Sequence, residues 1–230
     1  MIEAKVYCVS GIDTGIGKTI ATGLLACSFA IHGVKAISQK IVQTGCLGLS
    51  EDILCHRRLM GIEPLPLDYS GLTCPYVFPV PCSPHLAARL AGQAIDTSVL
   101  RRSIAELGSQ YEVIFLEGAG GLAVPLTEDY TFLDFVTEEK YPLILVTCAR
   151  LGSINHTLAA LELAYHRKIK VEALIYNRFF DTDQRIAQDS REIFAKYLKK
   201  YGFPGRIIDL HPLDQYDQKG KPDDLYTCFL

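Results

Sequence analysis

No stretch of the chain approaches the ~18 consecutive apolar residues that a membrane-crossing helix needs, and no low-complexity tract interrupts it. The opening Met1-Ile2-Glu3-Ala4-Lys5 lacks the apolar core of a signal peptide. Positive charge is not in excess: 23 Lys and Arg stand against 26 Asp and Glu, a net charge of −3, which argues against a nucleic-acid binder. The one basic cluster (Arg191, Lys196, Lys199, Lys200) reads as the solvated face of a terminal helix. Eight cysteines include no C-x-x-C pair, which removes the common zinc and dithiol spacings. Cys8, Cys27 and Cys148 fall in apolar segments and read as small core residues. H-E-x-x-H and G-x-S-x-G are both missing, so zinc-hydrolase and serine-hydrolase chemistry have no support. The expectation is a cytoplasmic protein with reduced thiols and neither a membrane nor a nucleic-acid partner.

What is present is a chain of 230 residues, 49% hydrophobic, long enough for one α/β domain over residues 1–230. Strands are expected at Lys5–Ser10, Lys35–Val42, Glu112–Glu117, Pro142–Cys148 and Lys170–Tyr176, with a weaker one at Arg206–Asp209. Runs such as Val113-Ile114-Phe115-Leu116 are apolar at every position, as in strands covered on both faces. Helices are expected from Gly17, Glu51, Pro84, Thr97, Thr131, Ser153 and Thr182, with Ser83 as an N-cap before an N1 proline. The alternation predicts a doubly wound, mostly parallel sheet flanked by helices, with ligands at the C-terminal ends of its strands. The Pro- and Gly-rich segment Gly61–Cys82 is expected to form a connection on one flank.

The strand Val6-Tyr7-Cys8-Val9-Ser10 runs into Gly11-Ile12-Asp13-Thr14-Gly15-Ile16-Gly17-Lys18-Thr19 and then into a helical segment. Backbone N–H groups and a helix N-terminus offer partial positive charge to a phosphate, Lys18 adds a full charge, and the Thr19 hydroxyl can reach Mg²⁺. The general pattern G-x-x-x-x-G-K-[ST] is missed by one residue, because Ile12 stands where its first glycine belongs. Other strand ends carry further candidates. Lys40, with Thr44 and Gly45 nearby, is either a neutraliser of phosphate charge or an ordinary exposed lysine. Ser50-Glu51-Asp52 at a helix start offers a metal ligand in Asp52, or acidic groups that simply meet the helix dipole. Glu117, ahead of Gly118-Ala119-Gly120-Gly121, is either placed to hold Mg²⁺ in the manner of phosphate-loop enzymes or simply precedes a strand-terminal turn that the glycines make. Leu151-Gly152-Ser153-Ile154-Asn155-His156 opens another helix, and is either a second anion site or a start capped by Ser153.

Taken in order over residues 5 to about 178, these segments resemble the dethiobiotin synthetase family, together with Cys82-Ser83-Pro84-His85 and Asn177. The irregular loop spacing is that family's own form. The resemblance implies a P-loop fold and an ATP- and Mg²⁺-dependent reaction. In it, CO₂ (or bicarbonate) is joined to 7,8-diaminononanoate, through a carbamate and a carbamic–phosphoric anhydride, to give dethiobiotin, ADP and phosphate. It implies that Gly15, Ile16, Gly17, Lys18, Thr19 and Ile20 wrap the phosphates, and that Lys18 and Lys40 are catalytic through the transferring group. It implies Thr19, Asp52 and Glu117 as metal ligands. Asp52, Glu117, Gly118, Ala119, Gly120, Asn177, Arg178, His211, Pro212 and Leu213 would complete the nucleotide site. Thr14, Lys40 and Thr44 would face the diamine, and Leu151, Gly152, Ser153 and Asn155 would bind its carboxylate across a homodimer interface.

The chain departs from the family pattern at three positions: Ile12 replaces a Thr, Gly15 replaces an acidic residue, and Arg178 follows Asn177 where an Asp is frequent. A carboxylate at 178 would help read a purine edge, so the preferred base is left open. The polar segment Asp214–Leu230 receives no assignment. Partition-type ATPases share the irregular loop but carry a further lysine five residues before Lys18, where this chain has Asp13. A cobyrinate-type amide synthetase would need a glutaminase domain beyond residue 230. A nucleotide-binding paralogue without turnover is opposed by the presence together of Lys18, Thr19, Lys40, Asp52 and Glu117.

Overall fold

The computed structural model describes residues 4–219 and 223–229. In chain order it contains β1 (Lys5–Gly11), α1 (Lys18–Ile31), β2 (Ala36–Lys40), β3 (Gln43–Thr44), α2 (Glu51–Met60), α3 (Pro66–Tyr69) and β4 (Val77–Phe78). Then follow α4 (Pro84–Leu90), α5 (Thr97–Gly108), β5 (Val113–Gly121), α6 (Phe132–Glu139), β6 (Leu143–Thr147) and α7 (Ser153–His166). The remainder is β7 (Val171–Asn177), a 3₁₀ turn (Arg178–Phe180), α8 (Gln184–Lys200), β8 (Ile207–Leu210), α9 (Leu213–Lys219) and α10 (Asp223–Thr227).

Six strands form one sheet in the order β2-β5-β1-β6-β7-β8, and every pairing is parallel. Parallel neighbours require crossover connections, which the helices supply. Successive residues of each strand point to opposite faces, and both faces are buried. Val6, Cys8, Ile114, Leu116, Leu143 and Leu145 pack on one side. Tyr7, Val9, Val113, Phe115, Ile144 and Val146 pack on the other. This is why the strands read as unbroken apolar runs. Tyr7 stacks on Phe115 with centroids 5.6 Å apart, and Phe29 of α1 meets Phe115 edge-on at 5.0 Å. Each such fully buried side chain contributes about 1.5–3 kcal/mol.

Gly23, inside α1, fixes the distance between α1 and α2. A Cβ there would lie 2.7 Å from Leu59 Cδ1 and 3.2 Å from the His56 Cα. Glycine in a helix interior costs about 1 kcal/mol relative to alanine, and here it lets α2 lie against the helix that carries the phosphate loop. Ser50 caps α2 by accepting from the Ile53 N–H at 3.3 Å, and its hydroxyl donates to Gln43 Oε1 at 2.8 Å. The start of α2, and Asp52 with it, is therefore pinned to β3.

Several expectations are adjusted. The glycines after Glu117 continue β5 to Gly121, where Gly121 registers with Gly11 beyond an irregularity in β1, so they form no turn. Ser83 occupies the N-cap of α4, with Pro84 at N1, but its side chain makes no capping bond. The connection Gly61–Cys82 holds α3 and the short strand β4, which pairs with β3. The basic cluster lies on α8, which is not terminal, and Arg191 leaves the solvated face to pair with Asp209 and stack over Tyr176. Within the unassigned segment, α10 and Phe229 fold back on the phosphate-loop helix. Leu225 is fully buried, the Tyr226 N–H donates to Ser28 Oγ at 2.9 Å, and the Tyr226 ring lies against Phe29 and His32. Residues 1–3, 220–222 and 230 lie outside the described residues. Among the described residues no helix is long and apolar enough to cross a membrane, and no disulfide joins any of the cysteines.

Candidate active site

The C-terminal ends of β1, β2 and β5 bring Lys18, Thr19, Lys40 and Glu117 together, and the first turn of α2 adds Asp52. The Lys40 ammonium lies 2.6 Å from Asp52 Oδ2, 2.7 Å from Glu117 Oε1 and 3.2 Å from the Gly118 carbonyl. Thr19 Oγ1 stands 3.1 Å from both Asp52 Oδ1 and Glu117 Oε1, and its one proton serves a single acceptor at a time. Burial works against the charge on Lys40, but the adjoining Glu117 and Asp52 outweigh it and hold the ammonium above its ordinary value. Burial likewise opposes ionisation of Glu117, and the charge of Lys40 with a hydrogen bond from His56 holds that carboxyl well below the usual range. Lys40 is thus no ordinary exposed lysine; it is 5% exposed.

The described residues hold no group of three or more His, Cys, Asp or Glu arranged for a metal ion. Two carboxylates and a hydroxyl do converge, from Asp52, Glu117 and Thr19. An oxygen-only set of this kind suits Mg²⁺, which takes few protein ligands and completes its shell with phosphate and water.

In the phosphate loop, Gly17 caps α1 with φ 104°, in the left-handed region. A side chain there would also lie 2.4 Å from Asn177 Nδ2, which donates to the Ile16 carbonyl at 2.8 Å. Lys18 is folded back onto the Asp13 carbonyl at 2.9 Å. The Asp13 carboxylate pairs with Arg150 at 3.0 Å, and that guanidinium lies over the Phe180 ring. Burial, and next the charge of Lys40, push the Lys18 ammonium down to about 8. Below that pH Lys18 meets a phosphate already charged; above it, binding must bring a proton with it. Calorimetry in buffers of different ionisation enthalpy is expected to show uptake of about three-quarters of a proton per nucleotide at pH 8.5 and very little at pH 7. Equal uptake at the two pH values would refute this.

Two cavities share Gly15, Gly17 and Ile20 in their walls. The first, of about 400 Å³, is lined by Lys18, Thr19, Lys40, Asp52, Glu117, Ala119 and Gly120, and extends past Thr14 to Val42, Gln43 and Thr44. The second, of about 720 Å³, is bounded by Asn177, Phe179, Phe180 and Leu210–Asp214. Ile16 is fully buried, and its carbonyl accepts from Asn177.

Most of the expected positions therefore meet around these cavities, including His211, Pro212 and Leu213; Arg178, Gly118 and the start of α7 stand outside their walls. Arg178 is not in the cavity wall. Asn177 Oδ1 accepts from the Phe179 N–H and starts a 3₁₀ turn, and Arg178 pairs with Asp181 at 3.1 Å and Asp209 at 3.7 Å. Gly118 lies behind the wall, giving its carbonyl to Lys40, with the Phe132 ring where a side chain would stand. At the start of α7 the cap is Gly152, and Ser153 turns inward to Cys148 Sγ at 3.2 Å. Leu151, Gly152 and Asn155 face the surface and line neither cavity.

Sequence reasoning missed Gln43, whose Oε1 holds the start of α2, and the pair Phe179-Phe180 just beyond β7, whose aromatic doublet at a strand end was the available signal. It also missed His56. That residue is fully buried, four positions after Asp52, with Nε2 2.8 Å from Glu117 Oε2.

A family model described as an AAA domain matches residues 5–204. An ATP-dependent dethiobiotin synthetase BioD of Chlorobaculum tepidum is 52% identical over 212 residues, covering 92% of this chain and 89% of that protein. The ATP-dependent dethiobiotin synthetase BioD 2 of Pasteurella multocida is 48% identical over 210 residues, covering 91% and 98%. Among solved structures, a ParA family ATPase from Chlorobium tepidum superposes with a TM-score of 0.56 at 15% identity, covering 99% of this chain and 90% of that one. At such low identity the likeness is one of fold alone.

Proposed function

The chain belongs to the dethiobiotin synthetase family, and from that premise we propose that it closes the ureido ring of dethiobiotin from 7,8-diaminononanoate, CO₂ and ATP. The observation that carries the reading is the reach of the smaller cavity. It extends past Lys40 to Gln43 and Thr44, leaving room for a second substrate beyond the phosphates. A switch ATPase needs room only for water there.

One amine takes up CO₂ and loses a proton to give a carbamate. A carbamate oxygen then attacks the γ-phosphorus, and the bond to the ADP oxygen breaks. The second amine attacks the carbon of the resulting anhydride, phosphate leaves, and the ring is closed. The described side chains lining this cavity include no Cys, Ser or His to serve as nucleophile or base. The chemistry then depends on positioning and charge. Lys18 and the loop N–H groups bind the phosphates, and Lys40 neutralises charge on the group in transit. Thr14 and Thr44 orient the diamine. Thr19, Asp52 and Glu117 would hold Mg²⁺, which supplies charge neutralisation at the phosphates when bound. The larger cavity would take the nucleoside between Asn177 and Leu210–Leu213, with Phe179 and Phe180 offering stacking surface.

A homodimer would bring the exposed helix start Leu151–Asn155 to the carboxylate of the neighbouring protomer's substrate. Cysteines that form no disulfide fit the cytoplasm. The test is phosphate release with MgATP, bicarbonate and 7,8-diaminononanoate, with the product identified by mass. Release is expected only when all three are present. Release that ignores the diamine and bicarbonate would favour a switch ATPase.

A further inference from the structure

Glu117 is gripped from both sides. Its Oε1 faces Lys40 and Thr19, while its Oε2 faces His56, away from the cavity. Residues four apart on a helix share one face, so α2 presents Asp52 and His56 together to the same carboxylate cluster. Because Glu117 is ionised it can only accept, which fixes His56 Nε2 as the donor. The other ring nitrogen, Nδ1, is buried and has no partner among the described residues. A histidine used only to fill space would leave that orphaned atom unexplained, since an apolar side chain of similar size would fill the same volume without it. What distinguishes the imidazole here is the single proton it gives to Glu117.

We infer that His56 is a positioning residue, holding the Glu117 carboxylate so that Oε1 alone is turned toward the metal and phosphate. This rests on the reading of Glu117 as a metal ligand. Without the imidazole, Oε2 would be buried with no donor, and the carboxylate would rotate to share its remaining partners, Lys40 and Thr19, between both oxygens. Partners of this kind behind a ligand change metal affinity by about ten- to a hundredfold when removed.

The probe is Mn²⁺ with the non-hydrolysable β,γ-imido analogue of ATP, its binding followed by electron paramagnetic resonance. His56→Phe and His56→Met, which cannot donate, are expected to weaken Mn²⁺ about tenfold. His56→Gln, whose amide can donate, is expected to recover most of the loss. Unchanged Mn²⁺ affinity in either non-donor, or equal loss in the Gln and Met variants, would overturn the inference, because packing alone gives those outcomes. Methionine adapts to irregular buried space, so that variant serves where the phenylalanine one does not fold. Glu117→Gln is the control. If it leaves Mn²⁺ affinity unchanged, the metal reading itself fails; if it weakens Mn²⁺ while the His56 variants do not, only the role of His56 fails.

Discussion

Lys40→Ala is expected to lower turnover by about a thousandfold while changing nucleotide affinity no more than a few-fold. Removal of a single preorganised charge-stabilising donor typically costs about 10²–10³ in rate, and Lys40 is a full charge in a buried site. The nucleotide keeps Lys18, the loop amides and the larger cavity, so its affinity is largely spared. Equal losses would instead make Lys40 a general phosphate anchor. The same substitution has a second signature. In the absence of ligand, Lys40 is what separates the negative charges of Asp52 and Glu117. Removing one partner of a buried ion pair costs about 3–5 kcal/mol, with the lower end expected because Asp52 retains some contact with water. Thermal melts should therefore show Lys40→Ala destabilised in EDTA and substantially restored by Mg²⁺ with ADP, with turnover still absent. A variant equally unstable with and without metal would contradict the shared-site geometry.

Gly17→Ala is expected to abolish nucleotide binding, with affinity down by a hundredfold or more. Two effects combine. The left-handed φ of 104° is strained for any residue with a Cβ, at about 1–3 kcal/mol. The added carbon also collides with the Asn177 amide that holds the Ile16 carbonyl. Relief requires the loop to move away from Asn177, and the two cavities share that part of the loop. Fluorescent-nucleotide titration checks the affinity, and circular dichroism checks that the fold survives. Affinity within threefold of the parent would mean that the loop reorganises freely when nucleotide binds.

Much of this site was legible because it sits where apolar strands stop. A buried run such as Val113–Leu116 announces a central strand, and the first charged residue after it, Glu117, is at the mouth of the sheet. The phosphate loop follows β1 for the same reason. The departures have local causes. Arg178 followed the strand end in sequence, but the Asn177 cap turns the chain, and Asp181 and Asp209 draw the guanidinium off. His56 carries no period or motif of its own; its role exists only because Gly23 lets α2 come close enough to reach β5. The segment from 213 onward is mostly polar, and its described aromatic residues Tyr226 and Phe229 find cover on Phe29 of α1, with Phe229 also against Tyr7 of β1. Contacts between such distant parts of a chain leave little trace in local pattern.

The place of β1 in the sheet sets the order in which a growing chain can acquire its site. β1 precedes every strand it pairs with, and its neighbours are β5 and β6. Thr19 must wait 98 residues for Glu117, and Ile16 must wait 161 for the Asn177 amide. At synthesis rates of about 5–20 residues per second, the phosphate loop is outside the ribosome for roughly ten to thirty seconds before its surroundings exist. During that interval it is a glycine-bearing segment with no cage. Nucleotide can recognise only chains that have already brought their two halves together, and by binding the native form alone it holds them there.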